Sequence, residues 1–140
     1  DLINQIWDDG IIVVTAAGNN GPDDNTITVP GISRKVITVG AIGEKFSGRG
    51  PTECCIVKPE VLAPGSNITS LRNKYNEYIA KSGTSMATPV VCGALALALE
   101  KNETLRPIDA KLALYNSVDQ TEDDVLCWGN LNVKKLVDYV

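Results

Sequence analysis

The hydrophobic pattern opens with Leu2, Ile3, Ile6 and Trp7, which share one face of a helix that Gly10 stops. Directly after it, residues 11–18 (IIVVTAAG) form a continuous β-branched and small-residue run with no polar alternation. Such a run predicts a strand buried on both faces, as in a parallel sheet covered by helices. Residues 35–43 (KVITVGAIG) repeat the pattern. The loop GNNGPDDN follows the first strand, and a long connection marked by Gly and Pro, GEKFSGRGPTECCIVKPE, follows the second. EVLAPGSNITSL predicts two short strands divided by Pro64-Gly65, and NKYNEYIAKSG predicts a hairpin.

The last third reads as helical. The segment after Ser85 is rich in apolar and small residues, and Ala87, Gly93, Ala94, Ala96 and Ala98 predict a helix that packs closely on the sheet. Pro107 stands near the start of a second helix, whose apolar side is expected to hold Ile108, Leu112, Leu114 and Tyr115. A short helix closes the chain in NLNVKKLVDYV. A helix–strand unit, then strands, then helices indicates an α/β layer structure with a mainly parallel sheet, read as a single unit over residues 1–140. A helix at the very start is expected to follow an earlier strand, so the strand at 11–18 is expected to lie beside sheet that this chain does not contain.

Composition narrows the partners. The 140 residues are 44% hydrophobic, enough for one core, and carry a net charge of −4. No run of Lys or Arg makes a phosphate-binding stripe, so nucleic acid is not expected as a partner. The longest apolar stretch of the helical segment, residues 90–99, is broken by Gly93 and is about half of the ~20 residues that a bilayer span needs, so no membrane segment is expected. Of the four cysteines, Cys54 and Cys55 are adjacent and Cys92 falls inside the apolar helix. That spacing argues against a disulfide framework and leans toward a reducing compartment, although the location of the protein stays open.

Two positions carry candidate chemistry. Ser85, in GTSMATP, stands between Gly83, which lets the backbone turn sharply, and a helix whose Pro89 is expected in the first turn, where early N–H groups have no intrahelical partner. The helix N-terminus would favour an oxyanion at the serine. The same serine also fits the role of an N-terminal cap. Asn19, in VVTAAGNNG, stands at the carboxyl end of a strand, where ligands bind in open α/β sheets. Its NH2 group could donate to that oxyanion, and an asparagine of an ordinary turn fits the segment equally well. A nucleophilic serine needs a general base, most often histidine, and the chain has none.

Taken together, GTSMATP, AAGNNG, FSGRGP with KPEVLAPGSNI, and WGNLNVKKLV resemble the subtilisin-like serine proteases over nearly the whole chain and in the right order. The resemblance implies the subtilisin-like three-layer fold, present here as its C-terminal half, with Ser85 as nucleophile, Asn19 as oxyanion donor, and Ala16, Ala17 and Gly18 as a wall of the substrate pocket. It implies a peptide or protein substrate. In that family the aspartate and histidine precede the serine in the chain, so both would belong to the missing N-terminal half of the catalytic domain, itself an expected partner. The chain alone is expected to be inactive, and a pseudoprotease acting by binding is the alternative. Pairing between copies through an exposed sheet edge is a further alternative. Asp8, Asp9, Asp23 and Asp24 match no catalytic motif and are read as solvated surface. Calcium binding is common in the family, but no metal site can be assigned here and no cofactor is expected. Two positions depart from the family pattern. Val90 stands where a histidine of packing function is frequent, and Thr28 replaces a glycine at the base of the pocket, which predicts a preference for small or medium P1 side chains.

Overall fold

The computed structural model describes residues 2–140. Along the chain run α1 (Leu2–Asp8), β1 (Val14–Ala16), β2 (Ile37–Ala41), β3 (Val61–Ala63), β4 (Ile68–Leu71), β5 (Tyr78–Lys81), α2 (Thr84–Lys101), α3 (Pro107–Ser117), β6 (Gly129–Asn130) and α4 (Val133–Tyr139). The main sheet is parallel throughout, in the order β1-β2-β3-β6. A second, antiparallel pair, β4 with β5, leads from the sheet to α2. No helix among the described residues is long and apolar enough to cross a membrane.

The alternation of side chains along a strand divides the sheet into two faces. Ile37, Val39, Val61 and Ala63 join one buried cluster with Ala87, Val91, Ala94, Leu95 and Ala98 of α2. Alanines at these positions let the helix axis approach the sheet. On the other face, a Cβ added to Gly40 would come within 2.9 Å of Leu62, Pro59 and Ser47 atoms, so the connection at 43–60 lies directly on the strand there. Burying β2 on both sides in this way matches its uninterrupted apolar sequence; all five of its residues are buried.

Several expectations give way to tertiary context. The strand predicted over 11–18 reduces to Val14–Ala16 and is half-buried, because β1 is an edge strand paired only with β2 and the left-handed φ of 95° at Gly18 turns the chain away. In α1 only Trp7 is buried, and Leu2 is exposed. The expected apolar side of α3 is mostly outside: Leu114 is buried, but Ile108, Leu112 and Tyr115 are about half exposed, at 50%, 52% and 56%. The inward face holds Pro107, Ala110, Ala113, Leu114 and Ser117. Tyr115 instead meets the edge of Trp128, at 5.3 Å between ring centroids. On α2, Cys92, Gly93 and Ala96 face solvent rather than the core. The two-residue β6, with a glycine at φ 146°, carries no alternating pattern by which the sequence could announce it.

Candidate active site

The site forms where the carboxyl end of β1 meets the amino end of α2. Gly83 precedes the helix at φ 153°, ψ 158°, a conformation open to glycine, and its N–H donates to Gly65 O at 2.8 Å. A Cβ at this position would also stand 3.4 Å from Asn19 Nδ2 and 3.9 Å from the Ser85 nitrogen. Gly83 thus keeps open the space between the two sequence-predicted residues.

Asn19 is held from one side only. Its Oδ1 accepts the Thr84 N–H at 3.0 Å and the Thr84 hydroxyl at 3.1 Å, while Thr84 Oγ1 accepts the Gly18 N–H at 3.2 Å. A backbone N–H only donates, so the carboxamide atom facing it must be the oxygen, which fixes the orientation of the amide. The NH2 group is then turned toward Gly83 and donates to none of the described residues. Ser85 is exposed, and neither its hydroxyl nor its N–H has a partner among the described residues. One backbone donor, one side-chain donor and the positive end of an 18-residue helix therefore border the same open space.

Ala16, Ala17 and Gly18 continue from β1 past this space. The Ala17 N–H donates to Val39 O at 2.9 Å, and Gly18 O accepts the Gly48 N–H at 2.8 Å, so both neighbours tie the segment down. Thr28 sits against it: its N–H donates to Ala17 O at 3.0 Å, and a Cβ on Gly18 would come within 2.6 Å of Thr28 Oγ1. The threonine side chain thus occupies the space over Gly18. Ser85 also borders an open cavity of about 430 Å³, lined by Ile68, Leu71, Ile79 and Lys81 of the hairpin and by Met86, Pro89 and Val90 of α2.

The structure brings Ser85, Asn19, Gly18 and Thr28 into one neighbourhood, with Ala16 and Ala17 leading into it. Asp8, Asp9, Asp23 and Asp24 are exposed and remote in role; Asp8 pairs with Lys35 at 2.6 Å. Sequence reasoning passed over Thr84, which orients Asn19. Its signal was present as a hydroxyl residue beside the serine in a motif otherwise built of small residues. The other omission was a buried ionic cluster. The Lys58 ammonium donates to Val36 O, Thr38 Oγ1 and Glu60 Oε1 at 3.1, 3.0 and 2.6 Å, and Lys111 reaches the same carboxylate at 2.7 Å. Glu60 Oε2 accepts the Thr38 N–H at 2.8 Å. Burial, opposed by Glu60, lowers Lys58 to about 8. Two charges on either side of Pro59, K-P-E, gave no hint that both lie inside.

Comparison with known proteins identifies the family and the fold. The model of the subtilase family, Peptidase_S8, matches residues 1–130. Serine protease AprX of Bacillus subtilis (strain 168) is 43% identical, over 87% of this chain and 33% of its own length. Subtilisin DY of Bacillus licheniformis is 40% identical, over 86% of this chain and 44% of its own. The solved structure of the prenylagaramide maturation protease PagA superposes with a TM-score of 0.80 at 29% identity, covering 98% of this chain and 53% of that one. The chain spans a third to under half of the length of the two curated relatives.

Proposed function

The chain belongs to the subtilase family, and on that premise we propose that it supplies the nucleophile and oxyanion site of a serine endopeptidase. Ser85 Oγ attacks the carbonyl carbon of a peptide bond, its proton passing to a general base, and an acyl-enzyme forms as the amine leaves. The Asn19 NH2 and the Ser85 N–H receive the oxyanion of the tetrahedral intermediate, at the positive end of α2. What carries this reading is the one-sided tether of Asn19: Thr84 occupies the oxygen of the carboxamide and leaves its donors aimed at the open space. A donor fixed before the substrate arrives needs no reorganisation as charge develops, which is where such sites gain their effect.

No residue of this chain can be the usual base, since it contains no histidine. The base and the carboxylate that orients it are assigned to residues outside these 140, packed against Ser85. Three surfaces are open to such residues: the edge of β1, the exposed stripe of Cys92, Gly93, Ala96 and Leu97 on α2, and the cavity that Ser85 itself borders beside Met86. Peptides or proteins are the substrates, and Thr28 over Gly18 favours a small or medium P1 side chain.

The test is peptide hydrolysis by the full-length protein and by the 140-residue chain alone. The full-length protein should cleave and acylate at Ser85 with a serine-directed fluorophosphonate, and Ser85→Ala should abolish both. The isolated chain should do neither. A full-length protein with intact folding but no cleavage and no labelling would overturn the reading in favour of a binding role.

A further inference from the structure

The adjacent pair Cys54-Cys55 lies at the tip of a tight turn far along the chain from the Ser85 site. The Thr52 N–H donates to Ile56 O at 3.1 Å, the Cys55 N–H to Thr52 O at 2.8 Å and the Ile56 N–H to Thr52 Oγ1 at 3.2 Å. Thr52 is buried, so the base of the turn is anchored in the fold while both cysteines are exposed. Cys55 has φ 56°, in the left-handed region. In an extended chain consecutive side chains point to opposite faces. This turn breaks that alternation, and both cysteines line one shallow hollow with Trp128.

A disulfide between them is the disfavoured outcome. Neighbouring Cα atoms across a trans peptide stand ~3.8 Å apart, whereas ordinary disulfides span roughly 4.4–6.8 Å between Cα atoms. Insertion of one atom between the sulfurs relieves that shortfall. Among the described residues no group of three Cys, Asp or Glu side chains is gathered to hold a metal ion, so no third protein donor completes the pair. A centre suited to it is soft, takes two thiolates and brings its remaining substituent with it.

We propose that Cys54 and Cys55 form a two-thiol binding site for a trivalent, thiophilic metalloid such as an organoarsenical. With phenylarsine oxide the As=O bond is replaced by two As–S bonds, the two thiol protons leave with the oxygen as water, and arsenic stays trivalent, so no oxidant or reductant is required. The second As–S bond forms intramolecularly, which raises affinity on the order of 10²-fold over a single thiol. The site is separate from the proposed catalytic chemistry and does not depend on it. Cys92 and Cys127 are each single thiols, and burial raises the Cys127 thiol above its usual range, which disfavours its thiolate.

Phenylarsine oxide added to the reduced full chain should bind at one equivalent by mass, remove two of the four thiols from titration, and be displaced by a small dithiol but not by a monothiol. Tryptophan emission, reporting on Trp128, should change to saturation at the same equivalent. Cys54→Ser or Cys55→Ser should each weaken binding on the order of 10²-fold, while Cys92→Ser and Cys127→Ser leave it unchanged. All four side chains are exposed or partly so, which spares the fold. The turn is tested by repeating the titration in denaturing urea, where affinity should fall. Binding that survives either serine substitution, or that is as tight in the unfolded chain, overturns the proposal.

Discussion

Thr84 does at residue scale what the serine motif alone does not reveal. Its N–H and hydroxyl both converge on Asn19 Oδ1. Asn19→Ala removes the donor and should cost about 10²–10³ in kcat of the full-length protein, a magnitude known from subtilisin itself. Thr84→Val keeps the backbone bond and the shape but loses the hydroxyl, so the amide gains freedom. A smaller fall in kcat with little change in KM is expected; a fall confined to KM would mean that Thr84 acts on substrate binding instead. Thr28 makes the second residue-scale prediction. Thr28→Gly empties the space over Gly18 and should raise the kcat/KM ratio for Phe over Ala at P1, by an amount read from matched peptides. An unchanged ratio would show that the pocket floor lies elsewhere.

Between elements, the Lys58–Glu60–Lys111 cluster ties the 43–60 connection to β2 and to α3. Glu60 answers two ammonium groups and the Thr38 N–H at once. Removing its charge leaves Lys58 buried without a counter-ion, a kind of loss that costs about 3–5 kcal/mol. Glu60→Gln should therefore lower the urea midpoint of the full-length protein strongly, whereas Asp109→Asn, on an exposed pair with Arg106, should barely move it. The same cluster gives a pH dependence of definite sign. Folded Lys58, facing Glu60 and Lys111, releases its proton at about 8, below the value of 10.5 of a free lysine. Between those values the unfolded chain binds the extra proton, so this group makes stability rise with pH. The stability of the native protein minus that of a Lys58→Met variant should increase from pH 8 to 10, and a flat or falling difference would contradict the assignment.

For the whole molecule, the consequence is a sheet with one open edge. Odd-numbered residues of β1 and its flanks bond to β2, as in Ile37 N–H to Val13 O and Ala17 N–H to Val39 O, which turns the backbone groups of Val14 and Ala16 outward. Unpaired edges recruit strands, so the isolated chain should self-associate with concentration in sedimentation. Val14→Pro, which removes one outward N–H and no bond to β2, should reduce that association; a monomer at all concentrations would leave the edge without a role between copies. How much of this was written in the chain follows from the range of each interaction. The buried run of β2, the Pro-marked start of α3, and the Ser85 and Asn19 motifs were legible in the sequence, because each rests on neighbours within a few residues, whereas the hairpin expected within residues 73–83 instead pairs β5 there with β4 from the preceding segment. Tertiary structure alone decided which face of α3 is buried, that Cys92 and Ala96 look outward, that Gly129–Asn130 completes the sheet, that Thr84 aims Asn19, and that Lys58 and Glu60 are interior. Each of those depends on the distance between segments far apart in the chain. Local pattern measures how apolar a residue is, and only packing settles what it has room to touch.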